Sequence, residues 1–300
     1  MAREVRELDS MPGTGSLYGK AALGAITGAL PFGGGSGGDT LPDTELVLRD
    51  VEIDRDQLNA YNRVCGFGLS DTVPATFPHV LAFPVAMELM TSDEFPFKLL
   101  GLVHIENEIT QHRPLEAGER LTFRVHADNL RPHRKGRQVD LVHTAEVDGE
   151  TVWTDTSTYL RRGGGSGDAP QERSAAETDA EPAGPAGPGA IWKVPGDIGR
   201  RYASVSGDRN PIHLHPVTAR AFGFPGAIAH GMWTKARSLA AFEGRLPDAY
   251  TIGVEFKLPL ILPGRVNFTA RRAGDAWSFE LEDLKSGKPH LAGRITPLDE

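Results

Sequence analysis

The stretch from Gly163 to Ala190 (GGGSGDAPQERSAAETDAEPAGPAGPGA) is made of Gly, Pro, Ala and Glu with almost no bulky apolar side chain. Such a composition cannot bury enough surface to offset the entropy lost on ordering, so it reads as a flexible linker. A chain of 300 residues interrupted there is divided into two bodies, each long enough to bury a core. The boundaries that follow are an N-terminal extension over 1–40, a first domain over 41–162, the linker over 163–190 and a second domain over 191–300.

Both bodies show the same order of patterns. In the first, Thr44 to Val51 alternates as a strand and Asp54 to Val64 reads as a helix. A second helix over Phe83 to Met90 is apolar nearly all round and therefore buried. Strands follow at Leu102 to Thr110, Leu121 to Leu130, Val139 to Val147 and Val152 to Leu160, with Asp148-Gly149 as a hairpin turn. After the linker come a helix over Asp197 to Val205, a buried helix after His230, and strands at Tyr250 to Leu258, Arg265 to Arg271, Ala276 to Leu284 and Leu291 to Thr296. Helix followed by antiparallel strands, twice, indicates an α+β internal repeat. Phe77-Pro78 is matched to Phe224-Pro225, Tyr61 to Tyr202, and Pro114 and Phe123 to Pro259 and Phe268.

The extension is less informative. Met1 to Ser16 is charged and turn-rich and lacks the basic start of a secretory signal. Leu17 to Pro31 is mildly apolar and could form a helix packed on the body; Gly33 to Gly38 reads as a spacer.

Chemistry-bearing residues crowd into Tyr202 to Met232 (YASVSGDRNPIHLHPVTARAFGFPGAIAHGM). Gly207 and Pro211 mark a turn, and Asn210-Pro211 reads as an N-cap with proline at the first helical position. A turn entering a short helix can bring Asp208 and His213 to one pocket. A carboxylate beside an imidazole can hold a water and move a proton near neutral pH. On spacing alone, plain turn chemistry with a capping or core histidine stays open.

The motif Ser-Gly-Asp-x-Asn-Pro-Ile-His, with Tyr202 before it and Ala219 after it, resembles the MaoC-like (R)-specific enoyl-thioester hydratases and dehydratases, known as hydratase 2. The resemblance covers roughly Thr44 to Pro297. It implies a hot-dog fold, a long helix wrapped by an antiparallel sheet, and for two copies a double hot dog. It implies reversible hydration of trans-2-enoyl thioesters to (3R)-3-hydroxyacyl thioesters. Carried over residue by residue, the acid and histidine fall on Asp208 and His213, a polar helper on Asn210, and the oxyanion-hole N–H on Gly231, with His230 beside the substrate. No cofactor is implied, since the acyl group arrives on coenzyme A or the phosphopantetheine of an acyl carrier protein.

Matching Pro78 to Pro225 puts Pro84 opposite Gly231, and proline has no N–H to offer an oxyanion. Only the second copy is therefore expected to be catalytic. The resemblance to two-copy members of the family implies that the degenerate first copy makes room for the acyl tail, here along Val80, Phe83 and Met87, with Phe77, Leu81 and Met90 nearby; a plain helix core is the alternative. Alternation puts His104, Glu106 and Glu108 on one strand face, with a structural or cleft-lining role for His104. Arg131 to Arg137 reads as a solvated hairpin turn, or else as a dock for coenzyme A phosphates or an acidic carrier.

The net charge of -8 argues against general nucleic-acid binding. A lone cysteine, Cys65, excludes an intrachain disulfide framework, reads as a small buried hydrophobe and is compatible with a reducing cytoplasm. No apolar run reaches the ~18 residues of a membrane span. A monomer or a homodimer would each fit. Competing readings are a hot-dog thioesterase, a non-catalytic acyl-thioester-binding protein, and a metal hydrolase built on Asp208, His213, His215 and His230.

Overall fold

The computed structural model describes residues 3–27, 38–163 and 189–298. The body of the linker and most of the Gly33 to Gly38 spacer lie outside the described residues. In chain order the elements are β1 (Glu4–Glu7), α1 (Thr14–Thr27), β2 (Thr44–Glu52), α2 (Arg55–Cys65), β3 (Thr72–Val73), α3 (Phe77–Met90), β4 (Leu102–Gln111), β5 (Leu115–Glu116), β6 (Arg120–His133), β7 (Gly136–Val147) and β8 (Glu150–Arg162). Then follow β9 (Ala190–Val194), α4 (Ile198–Ser206), α5 (Pro211–Leu214), α6 (Pro216–Ala221), α7 (Gly231–Ala240), β10 (Tyr250–Phe256), β11 (Gly264–Ala273), β12 (Ala276–Asp283) and β13 (Pro289–Pro297).

One sheet runs β1-β2-β6-β7-β8-β4-β10-β13-β12-β11-β9. Read outward from its middle, the first half is β4-β8-β7-β6-β2 and the second β10-β13-β12-β11-β9, the same connectivity in mirror order. The halves meet where β4 and β10 pair antiparallel, from Tyr250 opposite Gln111 to Glu255 opposite Glu106. β9, missing from the sequence reading, begins on the last residue assigned to the linker. It is held through Trp192, which stacks on Phe268 at 4.5 Å and lies under the Arg237 guanidinium at 4.4 Å.

Local chemistry sets the element ends. Asp54 caps α2 by accepting from the Asp56 N–H at 2.8 Å. Asp148 and Gly149, both at positive φ, make the tight β7–β8 turn. α3 starts six residues before the expected helix: Pro78 occupies its first turn, where a missing N–H costs nothing, and Pro84 is carried in its interior. Its side chains are buried on almost every side. Arg131 to Arg137 forms the expected hairpin, with Arg131 on Asp140 at 2.9 Å and Arg137 on Asp39 at 3.2 Å. Cys65 is fully buried.

The two helical layers are laced together. Trp233 in α7 donates to the Val64 carbonyl at 3.0 Å, and Gln57 in α2 to that of Val205 at 2.8 Å. Lys235, wholly buried in α7, donates to the Ile252 carbonyl at 2.9 Å, to the Asn107 carbonyl at 3.2 Å and to the Asn107 side-chain oxygen. Its ammonium thus reaches both strands of the seam.

The extension is also part of this body. β1 pairs parallel with β2, Arg3 meets Asp128 at 2.9 Å, and Leu17 of α1 is buried in the core. Among the described residues no helix is long and apolar enough to cross a membrane.

Candidate active site

α4 ends on Gly207, whose φ of 74° lets the chain reverse. The turn that follows is tied locally: the Asp208 N–H donates to Ser206 Oγ at 3.2 Å and the Asn210 N–H to Asp208 Oδ1 at 3.1 Å. Asn210 then caps α5, its side-chain oxygen accepting from Ile212 N–H at 3.4 Å, with Pro211 in the first helical position. This short turn carries His213 back to face Asp208.

His213 Nδ1 lies 2.9 Å from the Ile228 carbonyl, so that nitrogen carries the proton and donates. Nε2 is left as the acceptor. The strand-like strap Ala227–Ala229 is pinned by Leu262 N–H on Ala227 O at 2.8 Å and by Ala229 N–H on Leu260 O at 2.9 Å. It delivers His230 as the N-cap of α7. The His230 ring stacks on His213 at 3.7 Å and sits 4.9 Å from Tyr202. Its Nε2 lies 3.0 Å from the Asp208 carbonyl and 3.7 Å from Asp208 Oδ2. Gly231 is the first residue of α7, so its N–H has no acceptor within the helix.

Burial alone would raise the Asp208 carboxyl, but His230, His213 and a hydroxyl bond outweigh it and hold it below the usual range. Burial lowers His213, opposed by the neighbouring Asp208 charge. Burial, with His213 beside it, lowers His230 to about 3, so that ring stays neutral. The hydroxyl is that of Tyr18 in α1, which donates to Asp208 Oδ1 at 2.5 Å.

These groups line a cavity of about 450 Å³ shared by both halves. Asp208, Asn210, His213, His230 and Gly231 line it from the second half, and His79, Val80, Phe83, Met90, His104 and Tyr159 from the first. Met87, placed beside the acyl tail from the sequence, is fully buried in the core; Met90, one helical turn on, faces the cavity instead. His104 does line the cleft, but without Glu106 and Glu108 on its face. A bulge between His104 and Glu106 shifts the register, so His104 pairs with Tyr159 and Asn107 with Ser157, and His104 joins the Asn107 face.

The matching of Pro84 to Gly231 fails. Pro84 lies inside α3, whereas Gly231 opens α7, and Phe224-Pro225 lies before that helix in a loop lining the cavity. Thr76 and Phe77 stand at the α3 start where His230 and Gly231 open α7; Tyr61 donates to Thr76 Oγ1 at 2.8 Å as Tyr202 packs on His230. At the position equivalent to Gly231, the Phe77 N–H donates to the Pro74 carbonyl at 2.8 Å.

Among the described residues, two trios place potential metal-ligating atoms within 4.8 Å of one another: Asp208, His213 and His230, and His79, His143 and Asp155. His215 is outside both, exposed and capping α6 by accepting from Val217 N–H at 3.2 Å. The second trio was not legible in the sequence. His79 Nδ1 meets Asp155 Oδ2 at 2.6 Å, and Asn107 and Ser157 donate to Asp155 Oδ1 at 2.8 and 2.9 Å. The signal for it was a strand, Thr154 to Tyr159, whose inward positions hold Asp155 and Ser157.

Known protein families resemble both halves of the chain. The family described as MaoC like domain matches residues 192–291, and the FAS1-like dehydratase domain region matches 59–156. Over 284 residues the chain is 36% identical to 3-hydroxyacyl-thioester dehydratase X of Mycobacterium tuberculosis, covering 93% of this chain and 98% of that protein. The chain belongs to the MaoC-like dehydratase family. The crystal structure of HtdX from the same organism superposes with a TM-score of 0.74 at 36% identity, covering 85% of this dehydratase and all of that chain. A second M. tuberculosis protein, described as having a double hot-dog fold, matches at TM-score 0.52 and 12% identity over 84% of this chain and 95% of that one, a likeness of fold alone. The double hot-dog architecture expected from the sequence is the one observed.

Proposed function

We propose that this dehydratase interconverts trans-2-enoyl and (3R)-3-hydroxyacyl thioesters, carried on coenzyme A or on an acyl carrier protein, in fatty-acid or related acyl metabolism. The observation that carries the reading is that Asp208, His213, whose Nε2 is left as acceptor, and Gly231, whose N–H has no acceptor within its helix, line one cavity.

In hydration, Asp208 Oδ2 and His213 Nε2 hold a water. Asp208 takes its proton as the water oxygen bonds to C3 of the enoyl group. The electron pair of the C2–C3 double bond moves to the thioester oxygen, where the Gly231 N–H meets the developing charge; such donors are worth ~3–4 kcal/mol. The pair then returns a proton to C2, with His213 sharing the transfer. One acid–base pair serving both carbons from one side gives syn addition. Dehydration reverses each step. His230 holds the Asp208 backbone and the His213 ring in place, and Asn210 ties the turn. This route calls on no metal or redox cofactor. Val80 and Phe83 receive the acyl tail. Arg162, exposed on the cavity lining, suits the phosphates of the thioester carrier. A cytoplasmic setting fits the buried, unpaired Cys65 thiol.

Asp208→Asn and His213→Ala should each lower turnover about 100-fold or more with the fold intact, as expected for positioned proton-transfer groups. Product analysis on crotonyl and longer enoyl thioesters separates hydration from thioester hydrolysis and from no reaction. Near-normal hydration by either variant would falsify the assignment.

A further inference from the structure

Tyr18 lies in the N-terminal extension, far in sequence from every residue of the mechanism above. Its hydroxyl donates to Asp208 Oδ1 at 2.5 Å, and the Asn210 N–H donates to the same oxygen at 3.1 Å. Oδ1 is thereby filled, which leaves Oδ2, 3.7 Å from His230 Nε2, to take a water.

The contact is built into the fold. β1 is a strand of the main sheet, with Leu8 N–H closing on Val47 O at 2.8 Å. α1 is anchored by buried Leu17, next to Tyr18, and its first residue, Thr14, packs against the catalytic turn. A Cβ on Gly207 would meet the Thr14 methyl at 3.4 Å. Burial and the facing Asp208 charge push the Tyr18 phenol well above its ordinary range, so it stays a donor at any working pH.

We propose that Tyr18 is a positioning residue for the reaction: the N-terminal extension delivers its hydroxyl to fix the Asp208 rotamer and to keep that carboxylate ionised. The inference rests on the reading of Asp208 as the base. A charge-assisted bond to a carboxylate favours its ionised form. Removing the bond therefore raises the Asp208 pKa, and the acidic limb of the pH–rate profile moves to higher pH.

The test is Tyr18→Phe, which keeps the ring and its packing and deletes only the oxygen, measured beside Asp208→Asn. Expected are a fall in kcat of about ten-fold or more, a KM within about two-fold of wild type, an upward shift of about half a pH unit or more in the acidic limb of kcat/KM, and an unchanged melting temperature. Unchanged kcat and limb overturn the proposal. So does a slower enzyme with a lowered melting temperature and an unmoved limb, which is a packing defect. A faster variant overturns it too, since the hydroxyl would then be blocking the water's place. If Asp208→Asn is silent while Tyr18→Phe is normal, only this inference falls; if Asp208→Asn is active, the base assignment falls with it.

Discussion

A Cβ added to Gly231 would stand 3.0 Å from the Phe256 ring, which itself lines the cavity. The helix start is a position where alanine is welcome, so Gly231→Ala should fold and melt like wild type. The ring must nevertheless yield toward the bound thioester, or the N–H must draw back. We expect kcat/KM to drop about ten-fold or more, and a melting curve beside the kinetics separates this from unfolding. At this scale the sequence was readable wherever chemistry is local. Asp208, Asn210 and His213 fall within six residues, and turn and cap rules alone bring them together. Tyr18 was not readable: nothing in a mildly apolar helix of the extension marks one tyrosine as the partner of an aspartate so remote in the chain. Thr76 and Phe77 were hidden for another reason, because the repeated Phe-Pro pair invited a false match at Phe224-Pro225.

α3 is the element that brings the first half into the site. Its first turns bring His79, Val80 and Phe83 to the cavity while Phe77, Ala82 and Met87 stay in the core. Each buried methylene of an acyl tail is worth up to ~0.8 kcal/mol. Phe83→Trp should therefore lower kcat/KM for long enoyl thioesters and spare a four-carbon one, all chemistry at Asp208 being common to both. An unchanged ratio of the two specificity constants in a folded variant would send the tail elsewhere. The longer strands and helices of both halves followed from periodicity, but the short ones, β9 among them, and the details that place side chains did not. The α3 start was masked by Pro78, which a helix accepts in its first turn. The bulge between His104 and Glu106 breaks alternation, and no residue type announced it.

Across the whole molecule, the seam between β4 and β10 is fastened by Lys235. Burial lowers its pKa from 10.5 to about 7. The unfolded chain therefore holds this proton to higher pH than the folded one. The burial penalty is full below about 7 and gone above about 10.5, so stability rises with pH across that window. Lys235→Met leaves the Asn107 side-chain oxygen without its donor and should cost roughly 2 kcal/mol at pH 7. Because the variant lacks the titrating group, the gap to wild type should widen at pH 9.5; urea melts at the two pH values measure both. The repeat itself was legible in the order of patterns, but not that the two copies would share one sheet, since strand pairing across the join leaves no mark on either strand.

That shared sheet alters the kinetics of assembly. Were the halves separate molecules, each would have to find the other, and the fraction of complete cavities would vary with dilution. Joined in one chain, they meet at an effective concentration of millimolar order, set by the tether and not by the cell. The encounter is unimolecular. The first half can then diverge in its cavity-facing side chains while always remaining matched, one to one, with the second.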